Sequence, residues 1–172
     1  MEENKEKLFN ETVVKLGLVS FFADIASEML YPITPIFLTT VLGASMTSLG
    51  LIEGTAEAIA SLLKVGSGYW SDRIQSRKPF VWIGYLLAAV AKPLTGLSSS
   101  WTGVLVARSI DRVGKGLRGG PRDALLAESV SPQLRGAAFG WHRAMDTLGA
   151  AIGPLFAIWY LETYHDQLSE IY

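Results

Sequence analysis

The chain has 172 residues, a formal net charge of −1, no cysteine and two histidines. That excludes a disulfide framework and a thiolate metal site, and it offers no electrostatic footprint for nucleic acid. Charged residues, at 18%, lie below the ~25% usual in soluble domains, and the mean hydropathy is positive.

Residues 1–12 open on the charged run MEENKEK and read as a solvated tail or an interfacial lead-in. Lys5 and Lys7 ahead of LGLVSFFA imitate a secretory signal, but Asp24 and Glu28 interrupt the apolar run and no small-x-small cleavage site follows. Residues 13–40 form the first apolar segment, in which Gly17, Ser20, Asp24, Glu28 and Tyr31 share one helical face. Pro32 and Pro35 would bend or end a soluble helix, whereas membrane helices tolerate proline better. After an uncharged break, residues 47–70 place Glu53, Glu57 and Lys64 on one face, with Gly50, Gly54, Ser61 and Gly68 as small surfaces for a neighbouring helix. SDRIQSRK then reads as a compact charged turn. Residues 79–98 are apolar except for Lys92, which sits near the outer end as a snorkelling cation would.

Residues 101–127 carry the densest pattern. Read at about 100° per residue, Arg108, Asp111, Arg112, Lys115, Arg118 and Arg122 occupy one stripe, with Val106, Ile110, Val113 and Leu117 opposite. On a soluble domain such a stripe is a solvated face. In a membrane bundle it faces an aqueous cavity or buried carboxylates, because a charge at mid-bilayer costs ~2.5–3.5 kcal/mol on insertion scales. A polar connection, ESVSPQLRG, leads to residues 137–161, with Arg143 and Asp146 near their start and GAAIGP beyond. Residues 162–172 are polar and acidic.

The breaks decide between the two settings. Arg73, Arg77 and Lys78 mark the second break and Arg135 the fourth, while the first, the third and the tail lack Lys and Arg. This alternation is the positive-inside pattern, and each segment has about the 20 residues needed to cross hydrocarbon. The fold class expected is an all-α membrane protein with five transmembrane helices. It would be a multi-pass protein of the inner (plasma) membrane, in contact with lipid. Its amino end (1–12) would be cytoplasmic and its tail (162–172) outside. Counted from the segment ends, Asp24 and Arg112 lie near mid-depth and Glu28 and Arg108 in the outer third. The matched depths predict Glu28–Arg108 and Asp24–Arg112 as pairs across a cavity. Enzyme chemistry is not expected: there is no Ser/His/Asp elbow or zinc spacing, and GKGLRGGPRD lacks the GK[ST] ending of a phosphate loop. His142 and His165 stand too far apart for a metal cluster, and no cofactor is implied.

Several stretches resemble a known family. GYWSDRIQSRK resembles the motif G-x-x-x-D-R-x-G-R-[RK] between the second and third helices of major facilitator superfamily (MFS) transporters, through Gly68, Asp72, Arg73, Arg77 and Lys78. Gln75 and Ser76 replace its Gly and following Arg, removing the residue that reaches positive φ most readily. Arg108 with Gly114 resembles the superfamily's fourth-helix motif, and Gly149-x-x-x-Gly153-Pro154 the fifth-helix motif of drug/proton antiporters. DIASEMLYPITPIFL, RSIDRVGKGLRGGPRDALLAES and RGAAFGWHRAMDTLGAAIGP resemble a branch of prokaryotic permeases without a defined substrate.

The resemblance implies the amino-terminal half of a twelve-helix carrier, a six-helix bundle here stopping before the sixth. Such a carrier performs secondary transport, efflux or uptake, of a small organic solute coupled to protons, by rocking of two halves about a central site. The resemblance places Asp72 and Arg73 in a cytoplasmic gate and Arg108 in the cavity, coupling protonation to transport. Gly149, Gly153 and Pro154 would shape a bend and a close helix contact. Asp24, Glu28, Asp111 and Arg112 join the expected transport and coupling set. The partner expected is the second half of the carrier; the alternative is a non-transporting membrane fragment or one subunit of a split transporter.

Overall fold

The computed structural model describes residues 7–163, and these contain helices and no strand. Residues 1–6 of the expected cytoplasmic end and 164–172 of the expected external tail, His165 and Gln167 among them, lie outside the described residues. α1 spans Glu11–Leu30 and begins at Asn10, whose Oδ1 accepts from the Thr12 and Val13 N–H groups at 3.0 Å each. The Asn10 amide also donates to the Ser129 carbonyl at 2.6 Å, tying the start of α1 to the end of α5. Pro32 and Pro35 follow α1: a single α-helical turn, α2 (Ile33–Ile36), passes into a π-helical stretch over Phe37–Val41. The long apolar segment is therefore interrupted where its prolines lie.

α3 (Met46–Ile74), α4 (Lys78–Gly96), α5 (Trp101–Ser129) and α6 (Arg135–Thr163) complete the bundle. Ser45 and Ser100 cap α3 and α5, accepting from Ser48 N–H at 3.1 Å and Gly103 N–H at 3.2 Å. The expected charged turn is shorter than its composition implied, because Ser71–Ile74 continue α3 and only Gln75–Arg77 connect to α4. Gln75 takes the left-handed conformation, φ 53° and ψ 28°, and its N–H donates to the Asp72 carbonyl at 3.3 Å. It is the one non-glycine residue at positive φ in the described chain. Short connections of this kind leave successive helices antiparallel.

The helices form two layers. In one, α5 packs along both α3 and α4; in the other, α1 packs along α6. Both rest on close backbone approach. A Cβ on Gly114 would lie 2.5 Å from the Gly84 carbonyl oxygen, and one on Gly149 would lie 2.5 Å from that of Phe21. Small residues let helices meet in this way where lipid supplies no hydrophobic drive between them. Gly50 and Gly54, expected at such a contact, face open space; α3 meets α5 through other positions, beginning at Ile52 and continuing to Ser67, whose hydroxyl donates to the Gly116 carbonyl at 2.9 Å.

Two apolar clusters seal opposite ends. Val13, Leu16, Val81, Leu126, Val130 and Ala138 gather where α1, α4 and α6 begin and α5 ends. Leu38, Ile52 and Val104 gather at the other end. Large side chains such as Trp82, Leu62, Val65 and Leu155 project outward and are more than two-thirds or nearly two-thirds exposed (77%, 76%, 78% and 66%). Among the described residues two stretches, Lys78–Gly96 and Pro132–Thr163, are long and apolar enough to cross a membrane by length and composition. The sequence expectation was five spans; α1, α3 and α5 have the length but carry the charges that face the interior.

Candidate functional site

Between the layers lies a cavity of about 370 Å³. α1 contributes Asp24 and Glu28; α3 contributes Glu57, Ser61 and Lys64; α5 contributes Lys115, Arg118 and Arg122; α6 contributes Arg143, Asp146 and Thr147. The four acids and five bases among these residues face one another across a space that the apolar clusters leave open. The stripe on α5 is thus split between this cavity and a second, much smaller space.

At one end of the cavity a connected network holds the bases in place. The Arg118 guanidinium lies 4.3 Å from the centroid of the Tyr85 ring. The Tyr85 hydroxyl is 3.0 Å from Ser20 Oγ, which also accepts from Arg122 Nη1 at 3.1 Å. Arg122 donates to Asp123 Oδ1 through Nε at 3.2 Å and Nη2 at 3.1 Å, and its Nη1 lies 4.0 Å from Asp146 Oδ2. The same Asp146 oxygen is 3.5 Å from His142 Nδ1 and 3.7 Å from Arg143. Sequence reasoning gave Ser20, Tyr85, Asp123, His142 and Asp146 no site role. Tyr85 was the legible signal among them, an aromatic side chain with a hydroxyl in the largely apolar α4 segment.

Toward the other end the expected pairs do not form. Arg108, 7% exposed, donates through Nε at 3.1 Å and Nη2 at 2.5 Å to Glu53 Oε1 on α3. Neither Glu28–Arg108 nor Asp24–Arg112 is an ion pair among the described residues. The reason is the layering: α5 lies against α3 and α4, so its outer arginine meets an acid of α3 before one of α1. Arg112 Nε is buried without a hydrogen-bond partner. Lys92 also departs from expectation. It turns inward, 3.6 Å from Asp111 with both side chains mostly buried, and does not snorkel. Lys92, Asp111 and Arg108 border the small second space together with Ser27, Leu30, Thr34 and Thr95.

The charged connection forms its own cluster. Arg77 reaches Asp72 at 2.9 Å and Glu128 at 2.7 Å, joining the end of α3 to the end of α5. Arg73 and Lys78 are exposed. Gly68 has open space on its own Cβ side, but its Cα lies 3.0 Å from where a Cβ on Gly120 would stand. On α6, Gly149 and Gly153 lie against α1, a Cβ on Gly153 falling 2.7 Å from the Ile25 carbonyl oxygen and 3.0 Å from Glu28 Cβ. Pro154 continues the helix beside them. Among the described residues no three His, Cys, Asp or Glu side chains come together as a metal site.

An all-helical bundle whose charges face an interior cavity and whose aromatic and aliphatic side chains face outward has the build of a membrane transport protein. The chain belongs to the Major Facilitator Superfamily, whose family model matches residues 16–166. It is 44% identical over 169 residues to the uncharacterized MFS-type transporter MJ1317 of Methanocaldococcus jannaschii, covering 96% of this chain and 42% of that protein. It is 37% identical over 145 residues to the uncharacterized protein Mb2288 of Mycobacterium bovis, covering 83% of this chain and 35% of the relative. Identity to the multidrug resistance protein MdtH of Yersinia pestis is 27% over 155 residues, 90% of this chain and 36% of that one. The chain therefore spans less than half the length of these curated relatives. Members of the superfamily are membrane transporters of small molecules and not enzymes.

Proposed function

We infer that the chain forms helices of the amino-terminal bundle of a secondary transporter, which moves a small organic solute by alternating access, coupled to protons. The carrier is completed by a sixth helix and a second bundle. The observation that carries this reading is the charged cavity of about 370 Å³ between two glycine-packed layers. Its size is that of a small-solute site. Carboxylates and guanidinium groups inside a bundle are costly unless used. In this reading Asp24 and Glu28, in the cavity wall, take up and release the proton. Arg108, Asp111 and Arg112 respond to the change of charge through their own partners. Asp72, Arg73, Arg77 and Lys78, with Gly68, form the cytoplasmic gate; Gly149, Gly153 and Pro154 set the close contact of α6 on α1. The amino end lies in the cytoplasm and the far end of α6 outside.

Everted membrane vesicles containing the complete carrier test the reading. Addition of a transported solute should collapse or build a pH gradient, and Asp24→Asn should remove that response while leaving the protein in the membrane. Solute movement indifferent to the proton gradient would remove the coupling; no solute-dependent flux across a broad solute panel would remove the transport reading. Orientation is checked by single cysteines, easily placed because the chain has none. An impermeant reagent applied to intact cells should label Ser45→Cys and Ser99→Cys but not Ser76→Cys or Gln133→Cys, and the reverse pattern inverts the topology.

A further inference from the structure

The charges of the cavity are sorted along the bundle. Glu28 and Glu57 lie toward the end marked by Ser45 and Ser100, Lys64 and Arg118 toward the other, with Asp24 and Lys115 between them. Glu57 and Lys64 stand seven residues apart on α3, about 10 Å along the helix axis. None of these six residues forms an ion pair within 4.0 Å among the described residues. Elsewhere in the bundle Arg108 pairs with Glu53, Lys92 with Asp111 and Arg122 with Asp123, while these six stand unpaired around one space; Arg112, outside the cavity lining, also lacks a pair among the described residues.

Arg118 is the sharpest case. It lines the cavity, is 5% exposed, is held by the face of Tyr85, and keeps Nη1 buried with no hydrogen-bond partner. A guanidinium only donates, so the missing partner is an acceptor, and beside a fixed positive charge the best acceptor is an anion. Arg122 does not compete for it, being engaged by Asp123 and Ser20. A solute bearing only an anion would leave Glu28 and Glu57 unmatched; one bearing only a cation would leave Arg118 unmatched.

We propose that the solute is zwitterionic: a short chain with an ammonium group held by Glu57 and Glu28 and, several bonds away, a carboxylate or phosphate held by Arg118 with Lys64 or Lys115. This rests on the cavity being the solute site and names the class of solute that it takes. Specificity follows from mismatch, since a singly charged analogue leaves one set of groups unpaired.

The complete carrier, reconstituted in nanodiscs, is titrated with aminohexanoate, hexanoate and hexylamine, and with phosphoethanolamine beside ethylamine and inorganic phosphate. One of the two zwitterions should bind about tenfold more tightly than its singly charged counterparts, and which one does so separates carboxylate from phosphate. Arg118→Gln should erase the advantage over the amine, and Glu57→Gln the advantage over the anion. Arg118→Lys, which keeps the charge, should retain it, separating lost recognition from lost folding. Equal or tighter binding of an amine or an anion alone overturns the proposal, as does failure of both zwitterions to bind at millimolar concentration. These readings need no gradient. A carrier that binds the zwitterion without moving it counts against transport alone; one that moves only singly charged cations counts against this proposal and leaves transport standing.

Discussion

The contacts within a layer and the contacts between the layers use different physics. Within a layer, α4 and α5 meet backbone to backbone at Gly84 and Gly114, and α1 and α6 meet at Gly149 and Gly153, with no room for a methyl group. Between the layers, long charged side chains line a cavity that apolar clusters close at the two ends of the bundle. The glycine contacts are sensitive to volume and indifferent to charge; the cavity is the reverse, and the ion pairs Arg108–Glu53 and Lys92–Asp111 add charge to the α3–α5–α4 layer beside its glycines. A chain built this way can carry many interior charges because the glycine contacts hold its helices together independently of them.

The largest effect should come from breaking a contact within a layer. Gly114→Val would drive a branched side chain into the Gly84 carbonyl, the Ala88 amide and Leu87. Backbone cannot give way as a side-chain tip can, so the cost should be at least the ~3 kcal/mol of severe overpacking. Fluorescence-detected size exclusion should show little monodisperse protein. Gly54→Ala, on the same kind of residue but in open space, should instead be neutral or gain about 0.5–1 kcal/mol from the helix backbone. Similar behaviour of the two variants would erase the distinction between the contacts.

Next in size is the Arg108–Glu53 pair. Arg108→Gln leaves Glu53 facing the interior without its cation, a loss of ~3–5 kcal/mol were the pair dry. The Glu53 side chain is 37% exposed, so solvent screening should hold the loss to about 1–2 kcal/mol. Adding Glu53→Gln should recover most of it. Recovery by Glu28→Gln instead would mean that α5 faces α1 at this depth and that the layering is wrong. Lys92→Met should behave likewise but more weakly, by about 1 kcal/mol, since its 3.6 Å contact with Asp111 is looser. Asp111→Asn should relieve it in a double-mutant thermal-unfolding cycle.

These pairs also mark the limit of what the sequence made legible. Apolar runs, prolines and caps placed the helices along the chain, because those signals are local. Depth could be counted from a segment's ends, because the rise per residue is constant. Neither says which helices are neighbours around the bundle. Arg108 therefore met Glu53, which shares its end of the bundle but stands on α3, and Lys92 turned toward Asp111 instead of the surface. The network through Ser20, Tyr85 and Arg122 joins residues from three helices whose separation in the chain reaches 102 positions, and no periodicity within a segment encodes it. What did carry over was composition: charge on α5 had to face inward somewhere, and it does.

The smallest effect belongs to Gln75, which lies outside both kinds of contact and so reports the backbone alone. It ends α3 at φ 53° and is exposed, in a place where the family pattern carries glycine. A side chain in the left-handed region costs ~1–2 kcal/mol, against which glycine loses about 0.5–1 kcal/mol of backbone freedom on folding. Gln75→Gly should therefore stabilise the protein by roughly 0.5–1 kcal/mol, read as a rise of a few degrees in thermal unfolding of the purified protein. Gln75→Ile, branched at Cβ, should lower it by more than that. The connection of three residues explains why the strain is tolerated: Arg77 must return toward Asp72 at once to reach both it and Glu128, and only a left-handed residue turns the chain so sharply after a helix. If Gln75→Gly is neutral while Arg77→Gln is destabilising, the turn is held by the ion pairs; if the glycine variant stabilises even when combined with Arg77→Gln, the backbone conformation sets the turn and the ion pairs form on it.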